Sequence, residues 1–313
     1  MKPSLLLAAA ALVVAFPATA AAEDPGSPPT TKKIETGNTR GIQLAHSRIV
    51  VSGDGGGGKS DGYQVRRPCW YEPGKGAAEM LAAQEDVRSY WLRYTPNASE
   101  KDYDKFLKQF KDKVGKPGKW WAPAYDAGHP NGNACWTGLD AFVWVPEGET
   151  PPGGITLEEL SDIARAALTV PKPPIKVSPD VDSYVNLATY VWLEGDVPTT
   201  RSVTATLPGV MSATVTADLS NLVIKSGTSA GRADVANNCG TRGQRYQKGV
   251  KTLSCGVRYR RASIDQPRKV YTMTATAVWT VTSTAGISYA PINMSATRDI
   301  PVGEVQTTVR GRS

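Results

Sequence analysis

Apolar and polar positions along the chain change period several times, and each change marks an expected boundary. An unbroken apolar run, Leu5 to Phe16, follows the lone cation Lys2 and ends at Pro17. Residues 23–66 have no sustained periodicity and are rich in Pro, Gly, Ser, Thr and charge. From 77 to 94, Met80, Ala83, Val87, Trp91 and Tyr94 fall on one helical stripe. A second helix is expected after Ser99, capped with Asp102. Tyr103, Phe106, Leu107, Phe110 and Val114 form its apolar face, and Gly115 and Pro117 stop it. The third carries a Thr156–Glu159 capping box, a stripe of Leu157, Leu160, Ile163, Ala164 and Leu168, and ends at Pro171. Trp120, Trp121, Trp136 and Trp144 lie between the last two helices in irregular or strand-like segments.

Beyond residue 175 the period falls to two. In 270–281, Tyr271, Met273, Ala275, Ala277, Trp279 and Val281 face one way, and Thr272, Thr274, Thr276 and Thr280 the other. Segments 184–193, 201–207, 210–218, 221–225, 256–262 and 294–300 supply further strands. Short alternating strands separated by turn residues predict an antiparallel sandwich. The expected fold class is therefore α+β. A signal peptide (1–22) and a disordered linker (23–66, with a short strand at 47–51) precede a small helix-containing α+β domain (67–172). An antiparallel Ig-like β-sandwich (175–313) follows.

The N-terminal pattern bears on location. Small residues at 18–22 fit a signal-peptidase site, and the apolar run is shorter than the roughly 20 residues of a membrane span. The expected product is a secreted chain, with no membrane span in its mature part. Four cysteines remain after cleavage: Cys69, Cys135, Cys239 and Cys255. An even number in an exported chain predicts disulfides. Three pairings are possible; Cys69–Cys135 with Cys239–Cys255 is favoured because each pair then lies within one expected domain. No C-x-x-C spacing occurs and there are two histidines, so neither a metal nor a cofactor is expected.

Two motifs invite a catalytic or nucleotide reading. Residues 53–60, GDGGGGKS, match G-x-x-x-x-G-K-[ST] letter for letter, with Gly53, Gly58, Lys59 and Ser60 at the defining positions. A phosphate-binding loop needs a helix opening at the Lys-Ser pair, and the following DGYQVRRP is not amphipathic. Nucleotide (ATP/GTP) binding is thus the alternative and a flexible linker the expectation. A hydrolase would have to use His129, on the Gly128-His129-Pro130 turn; no G-x-S-x-G accompanies it, and no catalytic residue is assigned.

Charge adds a broader signal. The chain carries a formal net charge of +7, and residues 175–313 alone hold 16 Lys/Arg against 9 Asp/Glu. Arg242, Arg245, Lys248, Lys251, Arg258, Arg260 and Arg261 cluster in and just beyond the Cys239–Cys255 segment. Such a cluster attracts anionic cell-wall polymers, acidic polysaccharide, anionic lipid or DNA. Trp120-Trp121 and the face shared by Tyr184, Tyr190 and Trp192 are expected to pack in a core or interface rather than stack on sugars.

Several segments together, CWYEP at 69–73, GKWW at 118–121, YVNLATYVWL at 184–193, CGVRYRRAS at 255–263 and YTMTATAVWT at 271–280, resemble a family of secreted proteins of high-GC Gram-positive bacteria. Members carry labels such as secreted protein, ATP/GTP-binding protein or enoyl reductase. The resemblance implies export and supplies no catalytic residues. The C-terminal half is also similar to a PKD-type sandwich, although LVIKSG at 222–227 stands where such domains commonly show a Trp-Asp-containing turn. The functional expectation is a secreted, non-enzymatic binding or assembly protein acting at the bacterial cell envelope. Its expected partner is an anionic wall polymer or an envelope protein.

Overall fold

The computed structural model describes residues 32–33, 42–97 and 99–305; the expected signal peptide lies outside the described residues. The first elements are β1 (Lys32–Lys33), β2 (Gln43–Ala45), β3 (Val50–Gly53), β4 (Cys69–Gly76), α1 (Ala77–Asp86), α2 (Arg88–Tyr94) and α3 (Glu100–Lys111). Then come β5 (Gly118–Asp126), α4 (Gly132–Thr137), β6 (Val143–Pro146) and α5 (Leu157–Ala167). A strand-rich remainder adds β7 (Ile175–Ser178), β8 (Ser183–Tyr184), β9 (Ala188–Leu193), β10 (Thr200–Leu207) and β11 (Met211–Lys225). It closes with β12 (Ala233–Asn237), β13 (Cys255–Tyr259), β14 (Tyr271–Ser283), β15 (Ile292–Ile300) and β16 (Val302–Gly303). The class is α+β.

Residues 78–114 form one compact unit. The expected Ser99–Asp102 capping box opens α3, and Tyr103, Leu107 and Phe110 are its buried face. The helix expected over 77–94 is instead two helices, broken at Val87 (φ −90°, ψ 3°). After the break Arg88 reaches Glu100 (2.5 Å) and Asp104 (2.6 Å), and Trp91 packs on Tyr103.

The described residues of 32–77 and 115–305 form the other unit. One sheet runs β1-β2-β5-β4, with β6 also on β5; a second runs β15-β14-β11-β10-β3, and a third β12-β13-β9-β7. Alternation buries Tyr271, Met273, Ala275, Ala277, Trp279 and Val281, the face expected from the sequence. The segments expected at 210–218 and 221–225 are one strand, β11, whose register on β14 shifts between Leu219 and Asn221. Such a shift marks a β-bulge, which bends a long strand without ending it. Trp136, expected in an irregular or strand-like segment, belongs to the short helix α4.

Two expected boundaries change. Residues 42–66 are not a disordered linker: β2 pairs with β5, and β3 is the edge partner of β10. Average composition there is polar, but Ile42, Leu44, Ile49 and Val65 are all buried, so a few well-placed apolar residues anchor the segment. The division at 172–175 is likewise crossed. Helix α5 packs on β10 and β11, and a single hydrophobic cluster runs from Ile42 to Val302. Within α5 every residue from Leu160 to Ala167 is buried, so a helix expected in the first domain is core to strands expected in the second.

Candidate anion-binding loop

The disulfide Cys239–Cys255 closes the connection between β12 and β13, and Cys69–Cys135 joins β4 to α4; both pairings match expectation. The closed loop holds four cations and no carboxylate. Its base is fixed from three directions. Gln244 donates its amide to Val191 of β9 (2.7 Å), while its side-chain oxygen accepts from the amides of Ser254 (2.6 Å) and Cys255 (3.2 Å). Gly243, at φ +78°, lies against β9 so closely that a Cβ would collide with the Val191 carbonyl, so only glycine fits there. Tyr190, buried on β9, packs its ring 5.4 Å from that of Tyr246, which stays half exposed.

Geometry sorts the seven expected anion-binding residues. Arg242 turns its guanidinium onto the carbonyls of Gly195 and Val197. Arg245 stands over Trp192 and 3.6 Å from Glu194, and Arg260 makes a two-pronged pair with Asp234 at 2.6–2.8 Å. Among the described residues Lys248, Lys251, Arg258 and Arg261 have no ion pair, and all four are exposed. Arg258 lies on β13, and Arg260 and Arg261 lie at or past that strand's far end from the disulfide. The single cluster read from sequence is therefore divided, and the loop's unneutralised charge is Lys248 and Lys251 beside Tyr246. Lys248 lies inside, and Lys251 just after, a turn in which Val250 donates its amide to Gln247.

The Walker-like motif takes a different form. Gly53 ends β3, which is antiparallel to β10, and no helix opens at Lys59-Ser60. Instead the Lys59 and Val170 backbones exchange hydrogen bonds at 2.9 and 3.1 Å. Arg201 fills the inside of the loop, donating to the carbonyls of Asp54 (2.8 Å) and Gly56 (2.5 Å), and Asp54 accepts from the Ser202 amide. Gly58 is pressed on Thr169 and Val170, and Ser60 is buried with its hydroxyl accepting from Gly62. A phosphate cradle needs amides converging on the ligand; here an arginine occupies the concavity and the carbonyls face it.

His129 is engaged by its own turn. Its Nδ1 accepts from the Asn131 amide at 3.1 Å, and Cys135 is oxidised. Among the described residues no hydroxyl or thiol nucleophile hydrogen-bonds it. Nearby Asp126, raised above the usual carboxylate range by burial, is engaged by the amides of Gln43 and Gly128. Trp120 and Trp121 are buried, as expected, and Tyr190 is buried while Tyr184 is half exposed.

Sequence reasoning missed a buried polar network. Asp162 on α5 accepts from the hydroxyls of Tyr63 and Tyr289 (both 2.9 Å) and from Arg66 Nε (2.6 Å). Burial and the Asp162 carboxylate push the Tyr63 hydroxyl up to about 12; burial also raises Tyr289. One turn on, Arg165 is 2% exposed, pairs with Asp61 and lies over the Tyr63 ring. Glu72, also buried, accepts from Ser47 Oγ (2.7 Å), the Arg48 amide (2.7 Å) and Trp70 Nε1 (2.8 Å). These carboxylates are saturated with donors, so they staple residues 47–66 to the core and are not poised for proton transfer. The only sequence signal was a charged pair, Asp162 and Arg165, beside the apolar stripe of Leu160, Ile163 and Ala164.

No protein-family model, curated protein or solved structure matches this chain. Among the described residues no helix is long and apolar enough to cross a membrane.

Proposed function

We propose that this is an exported, non-enzymatic binding protein that holds anionic polymer at the bacterial cell surface through its Cys239–Cys255 loop. The observation that carries this reading is the pair Lys248 and Lys251, unpaired and exposed beside Tyr246 on a base fixed by the disulfide, Gln244 and Gly243. A rigid base lowers the ordering cost of binding, and ammonium point charges suit phosphodiester or uronate groups spaced along a chain. The two disulfides accord with an oxidising compartment. On this reading β7 to β16 form an Ig/PKD-like sandwich that presents the loop, in the manner of the actinobacterial secreted family that the sequence resembles.

The test is retention on purified cell wall and on DNA across a salt series. Lys248→Glu with Lys251→Glu is expected to weaken retention at least tenfold and flatten its salt dependence by about one unit of slope per lost phosphate contact. Arg260→Glu, whose partner is Asp234, is expected to do less. Retention unchanged in the lysine variant, or insensitive to salt, overturns the reading.

A further inference from the structure

An open cavity lies away from this loop. It is a groove of about 880 Å³ between β5, the turn after β6, the start of α5 and the β10–β11 hairpin. Trp121, Val145 and Ile155 form its buried floor, and Leu157 and Val210, at 40% and 48% exposure, stand on its walls. Its lip carries Glu147 and Glu149 on either side of Gly148, which takes φ +82° in a turn closed by the Glu149 amide and the Pro146 carbonyl. Among the described residues neither glutamate has an ion pair. Lys119 also lines the groove, so exposed apolar walls beside two carboxylates that outnumber this one cation call for an occupant that is apolar and cationic.

The same molecule displays that chemistry elsewhere. The loop at 245–253 offers Tyr246, Val250 and Leu253 with Lys248 and Lys251, again on a glycine-centred turn. We propose that the groove receives the Cys239–Cys255 loop of a second copy of this chain. Lys248 and Lys251 then meet Glu147 and Glu149, and Tyr246 meets the apolar walls. Within one copy the loop is held to β9 by Gln244 and Gly243, so the contact is made between copies. The two surfaces differ, so copies that exchange loops close as a two-fold dimer, whereas a pair joined by one contact keeps one free loop and one free groove and extends head to tail. The net charge of +7 opposes approach, but at about 0.15 M salt it is screened beyond about 8 Å while contacting pairs are screened much less.

This inference does not rest on polymer binding, although both use the same lysines. Sedimentation velocity over rising protein concentration is the measurement, at physiological salt, with thermal melts showing that each variant is folded. The wild type is expected to grow in mass with concentration, to a dimer or beyond. Glu147→Lys with Glu149→Lys, and separately Lys248→Glu with Lys251→Glu, should each weaken association at least tenfold. Mixing the two variants restores complementary contacts in both directions and should restore association. A wild type that stays monomeric, a glutamate variant that associates undiminished, or a mixture that fails to recover overturns the proposal. The glutamate variant keeps its loop, so its retention on cell wall separates failure here from failure of the polymer reading.

Discussion

Residues 53–60 and 239–255 are both glycine-rich, cation-bearing loops attached to antiparallel strands, yet their polar groups point in opposite directions. In the first, carbonyls converge on Arg201 and the backbone is zipped to Val170; in the second, the backbone is stapled at its base while Lys248 and Lys251 remain outside. A motif that matches a binding signature by letter is thus occupied by its own protein. A loop with no signature keeps its charge available. What separates them is a neighbouring strand: β10 brings Arg201 across the first loop, whereas β9 meets the second through Gln244, Gly243, Arg245 and Tyr246 and leaves Lys248 and Lys251 exposed.

The largest expected effects come from the two disulfides and contrast stability with function. In the chain-entropy view, opening Cys69–Cys135, which spans 66 residues, costs about 4 kcal/mol, and opening Cys239–Cys255, spanning 16, about 3 kcal/mol. Paired Cys→Ser variants followed by urea denaturation measure both. Retention on cell wall at a temperature where both remain folded should fall only for the second. Equal loss in both would remove the distinction between a structural staple and one that presents a ligand surface.

Arg201→Ala is the next effect, at about 2 kcal/mol. It leaves the Asp54 and Gly56 carbonyls without their donor, and water recovers part of the loss because the loop lies at the surface. Amide exchange should accelerate in residues 54–58 and stay unchanged in 240–254. Spread of the acceleration to the second loop would show that the two share a cooperative unit.

How far the sequence alone carries this comparison depends on the range of the interactions. The capping boxes at Ser99 and Thr156 and the alternating face of β14 were legible because each rests on local spacing, and the inward fate of Trp120 and Trp121 because large aromatic rings favour burial. Residues 42–66 were not. Their order comes from Glu72, Asp162 and β10, partners between 24 and about 150 residues away, and composition averages carry no trace of them. The basic cluster was half legible. Its charges are where the sequence puts them, but Asp234 and Glu194 neutralise two of them from other strands. The groove was invisible, being made from four segments that meet only in the fold.

Glu72 ties the first loop's approach segment to pH. Burial raises its folded pKa above the ordinary value of about 4.3, in spite of three donors. The folded state therefore binds more protons than the unfolded chain between those two values, and stability falls as pH rises through that window. Glu72→Gln removes this term while keeping an acceptor for Ser47 or Trp70. The stability of the wild type minus that of the variant should be greatest at low pH and decline upward; Asp126, shifted the same way, is present in both and cancels. A difference that rises with pH would mean that the Arg48 amide and its companions outweigh burial.

The smallest expected effect is the one that returns to the two loops most directly. Lys59 is held through its backbone to Val170, and its side chain is exposed and makes no ion pair among the described residues. Removing it should change stability by less than about 0.5 kcal/mol, the usual range for a surface side chain that holds nothing. If residues 53–60 cradled phosphate, ATP would raise the melting temperature of the wild type and Lys59→Ala would abolish the rise. With Arg201 in the concavity, no rise is expected in either protein. Lys248→Ala makes the same chemical change on the other loop, and there retention on cell wall should fall several-fold. An ATP-dependent shift that vanishes with Lys59 would reverse the assignment of the loops, because it would require Arg201 to leave the carbonyls of Asp54 and Gly56 and the loop to re-form around the ligand.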